Sequence, residues 1–198
     1  LMTLQTISGS DYFGPVHWMT SRDLGHTWTD PQPVGALGRV KRHDGWDEGV
    51  CDVVPEFHPS TGSVLALGHS VNYRGPKFEK DQPPRWPVYA VWRDGQWGER
   101  RKLEWDDPRG SLIYTNNCGQ RVVLPNGDIA FVMTFGTKTT KRSAAGVRCS
   151  FDGQTLAIKQ VGREMQHPIG RGLLEPSLVK WRDRFFAYIC QRRSGKIT

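Results

Sequence analysis

Cysteine is scarce and badly placed for metal or disulfide work. The 198 residues hold four, at 51, 118, 149 and 190, and no two share a CxxC spacing. That excludes the usual zinc arrangements and gives a disulfide framework no support. Each lies in an apolar, strand-like run, where a free buried thiol is ordinary. Long apolar stretches are also missing: no window approaches the ~18–20 residues of a membrane helix. The opening LMTLQTISGS has neither the basic start nor the apolar run of a signal peptide. There is no G-x-S-x-G elbow and no phosphate-cradling loop, since GRG at 170–172 is a single turn. No cofactor and no metal are expected.

Negative charge is in deficit. Lys and Arg number 27 against 20 Asp and Glu, a formal charge of +7. Such a field draws in an anionic partner, or it is merely a basic surface. The basic residues of KTTKR (138–142) and those around Arg182 and Arg184 are short, interrupted groups. Without a helix-turn-helix or finger pattern beside them, a nucleic-acid partner is not expected.

What the sequence does have is turn chemistry: 22 Gly, 13 Pro and 8 Trp. That mixture suits many short strands better than long helices. Three stretches share one grammar of polar start, apolar strand, turn and second apolar strand. They are CDVVPEFHPSTGSVLALGHSV (51–71), GQRVVLPNGDIAFVMTFG (119–136) and EPSLVKWRDRFFAYIC (175–190). Asn126-Gly127 is the strongest hairpin signal among them. WPVYAVWRDGQWGERRKLEW and SAAGVRCSFDGQTLAIKQV add a further strand pair to the first two. A unit of four antiparallel strands in sequence is a propeller blade. The expected divisions are a blade end at about 15–36, blades at about 48–105 and 113–162, and the start of another at 172–198.

SRDLGHTW (21–28) reads as a locked turn, with Asp23 bonding the backbone, Gly25 taking a positive φ and Trp28 burying its ring beneath. SFDGQTL (150–156) echoes it, with Leu156 in the tryptophan's place. Polar residues gather where each apolar strand begins. GWDEGVCD supplies Asp47, Glu48 and Asp52. YTNNCGQR supplies Tyr114, Asn117, Gln120 and Arg121, and GRGLLEPS supplies Arg171 and Glu175. Glu175 stands out, since a carboxylate before Pro176 and among Leu173, Leu174 and Leu178 is costly without a task.

In these motifs the chain resembles the sialidase (neuraminidase) superfamily in its non-viral, BNR-repeat branch. Ser21, Asp23, Gly25, Thr27 and Trp28 fit the family's Asp-box S-x-D-x-G-x-T-W, and Ser150, Asp152 and Thr155 resemble a second, degraded copy. LPNGDI and LLEPSLVKW are phrased as in such proteins. The resemblance implies an all-β, six-bladed propeller of which this chain supplies about half, with the Asp-boxes as peripheral folding staples. It implies a glycan partner, with an acidic sugar favoured by the positive charge, and a reaction in which Glu175 accepts the proton of a nucleophilic tyrosine. An aspartate would act on the leaving oxygen, with Asp11, Asp47 or Asp52 as candidates, and arginines would grip the substrate carboxylate. The family's F-R-I-P arginine motif is absent from this sequence. Cys190 stands near the place of the second arginine, with Arg192 just beyond, and the tyrosine is expected past Thr198. Two other readings stay open: a sialidase-fold hydrolase of another glycan that uses carboxylates, and a non-catalytic glycan-binding propeller.

Overall fold

Hairpins build the chain, and their faces decide how it stacks. The computed structural model describes residues 1–9, 11–78, 81–115 and 119–190, with main chain only for Lys77, Ile113, Tyr114 and Thr115. All regular structure among them is β apart from two short 3-10 turns, and the sheets are antiparallel. Asp47–His58 and Ser63–Arg74, 12 residues each, pair from Asp47 against Tyr73 to His58 against Ser63. Gly62 closes their turn at a φ of 64°. Pro87–Arg93 lies on the other side of Ser63–Arg74, flanked in turn by Gln96–Trp97 and Arg101–Lys102. A second large sheet runs from Ile113–Thr115 and Val122–Val123 through Ile129–Gly136 and Ser143–Phe151 to Leu156–Val161. The Asn126-Gly127 turn forms as its sequence predicts: Gly127 has a φ of 83°, and the Leu124 amide donates to the Asp128 carbonyl at 2.7 Å. Leu174–Trp181 and Arg184–Cys190 make a final hairpin, and Met2–Leu4, His17–Met19 and Gln32–Pro33 a small opening sheet.

Side chains alternate across each strand, so one strand serves two cores. Leu65 and Leu67 pack with Tyr89, Leu103, Phe131, Met133 and Phe135 between the two large sheets. Ala66, between those leucines, points the other way with Val88 and Ala90, onto Val16, Val34 and Leu37. Phe131 and Met133 face one neighbour; Val132 faces the final hairpin through Ala144 and Leu178. The sheets therefore stack in series, each buried on both faces where it has two neighbours. That explains why every residue of 63–73 is buried, the polar Ser63, His69, Ser70 and Asn72 included. Each large side chain so buried contributes about 1.5–3 kcal/mol.

The 21–28 turn is self-contained. Asp23 accepts from the Thr27 amide at 2.9 Å and the Thr27 hydroxyl at 2.6 Å, and the Gly25 amide donates to Ser21 Oγ at 2.7 Å. These bonds, the Thr27 hydroxyl first, lower the Asp23 carboxyl to about 2. Trp28 differs from expectation: its Nε1 donates to the Gly25 carbonyl at 3.0 Å, yet 39% of the residue stays exposed. The ring caps its own turn and is not inserted between sheets, because the turn's outer side has no neighbour to pack on. The echo at Asp152 is tighter: its carboxylate accepts the Gln154 and Thr155 amides at 2.8 and 2.7 Å, and Leu156 is buried. Cys51, Cys149 and Cys190 are all free thiols.

Candidate functional site

Four described acidic residues have a positive φ; Asp11 and Asp94 lie in turns, while two adopt it within a strand. Asp52 has a φ of 56° and Glu175 a φ of 48°. An L-residue pays about 1–2 kcal/mol for that left-handed conformation. Asp52 follows Cys51 within Asp47–His58 and Glu175 follows Leu174 at the start of Leu174–Trp181, and each lies in a bulge with one extra residue. Between Cys51 and Val54 three steps oppose two on the partner strand, from His69 to Leu67; between Leu174 and Ser177 three steps oppose two, from Cys190 to Tyr188. A bulge re-aims a side chain that the pleat would otherwise direct along an ordinary face. Gly68 makes room for the first one, since a Cβ there would lie 2.5 Å from the Cys51 carbonyl and 2.7 Å from a Val53 methyl. Strain repeated at matching places is a signature of function.

Neither carboxylate is on the lining of the nearby cationic cleft; Asp52 is linked to it through His69 and Arg85, and Glu175 acts electrostatically on Arg142. The cleft's volume is about 1200 Å³, the largest among the described cavities, and its walls include Tyr12, Trp46, Arg85, Lys138, Arg142 and Arg171. Asp11 and Asp81 are the acidic residues on that lining, so cations prevail. Arg142 begins the Ser143 strand and is clamped to the 171–173 segment: its amide donates to the Arg171 carbonyl at 3.0 Å and its carbonyl accepts from Leu173 at 2.8 Å. Gly172, at a φ of 86°, allows that approach; a Cβ would meet the Arg142 carbonyl at 2.1 Å. Burial first, then the nearby Arg85 and Arg171 charges, pushes the Arg142 guanidinium down to about 10, with Glu175 opposing. Guanidiniums held together in this way favour an anion among them.

Asp52 joins the same charges through a buried histidine. His69 is 1% exposed; its Nδ1 lies 3.7 Å from Asp52 Oδ2 and its Nε2 lies 3.3 Å from Arg85 and 3.2 Å from Cys51 Sγ. Burial above all, with Arg85 and then Arg142, holds this imidazole well below the usual histidine range, so it is neutral. Cys51, Asp52 and His69 bring ligand atoms within 4.8 Å of one another. A metal fits poorly there, because the Arg85 guanidinium sits at the imidazole nitrogen and Arg142 adds a second positive charge.

The other residues singled out by sequence are dispersed. Glu48 is engaged by Arg100 at 3.0 Å and Arg42 at 3.7 Å, and Arg100 also donates to the Ala36 and Gly38 carbonyls. That arrangement ties the strand start to the preceding turn. Asp47, half-buried, pairs along the main chain with Lys41 and Tyr73, next to Trp46 of the cleft. Arg121 is 5% exposed and donates to the Val54 and Gly119 carbonyls; burial lowers it to about 10. It bridges the Asp47–His58 strand to the next sheet. Gln120 is exposed at the junction with the final hairpin, where its amide donates to Ser177 Oγ at 3.3 Å. Arg171 lines the cleft. Tyr114 pairs along the main chain with Phe135, its side chain undescribed, and Asn117 and Arg192 lie outside the described residues. Sequence reasoning missed Arg85, His69 and Arg142. The signals were small: an arginine after QPP, and the end of a KTTKR stretch taken as simple surface charge.

The molecule is similar in structure to the Hadza microbial sialidase Hz136, with a TM-score of 0.62 and 15% identity, over 89% of this chain and 36% of that one. It is similar to Trypanosoma rangeli sialidase with a TM-score of 0.62 and 15% identity, over 88% and 29% of the two chains. The same holds for Trypanosoma rangeli sialidase in complex with 2,3-difluorosialic acid, a covalent intermediate, at 0.61 and 15%, over 90% and 29%. No family model and no curated protein matches the sequence. The chain thus carries part of the sialidase fold and spans about a third of the length of these solved chains.

Proposed function

We propose that the protein is a sialidase-type exo-glycosidase that removes a terminal acidic sugar, sialic acid or a relative, from a glycan. Its sheets would be consecutive blades of a six-bladed propeller. The observation that carries this reading is a cleft walled by Arg85, Arg142 and Arg171, with the positive-φ carboxylates Asp52 and Glu175 coupled to two of those arginines, Asp52 through His69 and Arg85 and Glu175 through its charge on Arg142. The arginines would hold the sugar carboxylate, for which planar guanidinium is the best-matched donor. Trp46 and Tyr12 offer faces for the sugar ring. Asp52 would protonate the leaving oxygen and later activate water. Glu175 would take the proton of a tyrosine nucleophile, which attacks a carboxylate-bearing anomeric carbon with less repulsion than an acid residue would meet. That tyrosine would be supplied from outside the described residues.

A second reading is favoured by the equivalence of Asp52 and Glu175 in matching bulges: the two carboxylates themselves act as acid and nucleophile or base on another glycan. The test is release of fluorophore from an α-sialoside by the intact protein, beside Glu175→Gln and Arg142→Met. The expected result is release that Glu175→Gln abolishes and Arg142→Met weakens through KM. Absence of release by a folded protein, with cleavage of a neutral glycoside, would establish the second reading. Silence on both sets would overturn the enzyme reading.

A further inference from the structure

Arg85 and the Cys51 thiol both meet His69 at one nitrogen, Nε2, at 3.3 and 3.2 Å. A guanidinium has only donors, so the Arg85 contact sets the role of Nε2, while the Cys51 thiol can donate to the His69 carbonyl at 3.8 Å. Nε2 must then be the acceptor. A neutral imidazole carries its single proton on the other nitrogen, Nδ1, and that nitrogen is the one turned to Asp52 Oδ2 at 3.7 Å. At 3.7 Å the two atoms are in ion-pair range, beyond the length of a formed hydrogen bond, so the Nδ1–H acts on the carboxylate electrostatically. The charged and titratable groups facing the ring are Cys51 and Asp52 from its neighbouring strand, Arg85 from the segment before Pro87–Arg93, and Arg142 from the next sheet. Of these, the Cys51 sulfur is at most a weak acceptor at Nε2, against the obligatory donor of Arg85.

We infer that His69 is a positioning residue that couples the anion-binding arginines to Asp52: Arg85 fixes the tautomer, and the Nδ1–H so fixed orients the carboxylate in its bulge. This rests on the proposed glycosidase reading for its consequence, though not for its geometry. While Arg85 keeps its contact with Nε2 at the edge of the cleft, the imidazole keeps its proton on the Asp52 side. The carboxylate therefore holds one orientation while the sugar is bound. Nothing is covalently changed, and no proton leaves His69.

Two variants separate the two ends of the ring. The amide oxygen of His69→Gln reaches the Nε2 position and still accepts from Arg85, with no donor left for Asp52. The amide of His69→Asn reaches the Nδ1 position and still donates to Asp52, with no acceptor left for Arg85. With an acidic glycoside and the intact protein, His69→Gln should lose about 10²-fold in kcat at nearly constant KM. His69→Asn should raise KM roughly tenfold and keep most of kcat. Equal losses in both parameters for both variants would mean a purely structural histidine and overturn the inference. A second readout needs no substrate and no variant at position 69. Long-range ¹H–¹⁵N spectra of the intact protein should report His69 as the Nδ1–H tautomer, and Arg85→Met should shift it toward a mixture. An Nε2–H tautomer in the unaltered protein would overturn the inference even if the enzyme is active. If no acidic glycoside is cleaved, the proposed function falls, while the tautomer and its response to Arg85→Met still decide for or against the coupling.

Discussion

Replacing Asp52 and Glu175 by glycine and by alanine, separately, measures the strain directly. At an ordinary strand residue alanine is more stable than glycine by about 0.5–1 kcal/mol, because glycine loses more backbone freedom on folding. At a φ near +50° an L-residue instead pays about 1–2 kcal/mol for its Cβ. Subtracting the first from the second leaves glycine ahead of alanine by about 0–1.5 kcal/mol, centred at about 0.75, at 52 and 175, where φ is 56° and 48°. Both variants remove the carboxylate, so its interactions cancel in the comparison. Ser177, in the same strand as Glu175 and without a positive φ, is the control, and there alanine should lead. The assay is urea unfolding, read as a shift in midpoint at constant slope, with a melting-temperature difference of about 1–4 °C alongside. All four carboxylate variants should lack glycosidase activity, a stability gain at the expense of function. Alanine equal to or better than glycine at both positions would refute the claim that these carboxylates sit in strained bulges.

Gly68→Ala should cost about 1–3 kcal/mol and reduce activity, because its Cβ would collide with the Cys51 carbonyl and Val53; thermal unfolding and kcat check both. Arg121→Met should destabilise by about 1–3 kcal/mol through the Val54 and Gly119 carbonyls it leaves unmatched, with KM unchanged in the survivors. Asp23 has its folded value depressed to about 2 from an ordinary 3.8, so its contribution is complete above pH 4 and lost as pH falls toward 2. Over that window the unaltered protein should lose stability relative to Asp23→Asn, and parallel slopes would contradict the turn's bonding. The Cys149 thiol, raised to about 12 by burial and then by Asp128, should resist alkylation at pH 8 until the protein unfolds, as mass spectrometry of trapped adducts would record.

Much of the fold was legible because it is written locally. Asn126-Gly127 announces its hairpin, since the positive φ it needs is a property of two residues. The strand pairs at 51–71 and 175–190 follow from alternation between turn signals, and the network of Ser21, Asp23 and Thr27 from side chains bonding backbone within eight residues. Trp28 was misjudged because burial depends on what lies opposite, which no local pattern contains. The same limit applied to the site. Asp52, Glu175 and Arg171 were visible as polar residues at the starts of apolar strands. Glu48 and Arg121 matched the same description, yet one is held by Arg100 and the other spans two sheets.

The sequence by itself determined the strand order, the turns and the two carboxylates, because turn chemistry and side-chain alternation act over a few residues. Only the tertiary structure decided that Arg85, Arg142 and Arg171 converge, since they come from segments far apart in the chain and meet through the stacking of separate sheets. It also decided the state of His69. An imidazole between Ser63 and Arg74 is an ordinary polar residue in the sequence; burial and two neighbouring guanidiniums make it a neutral ring whose Nδ1 lies 3.7 Å from Asp52.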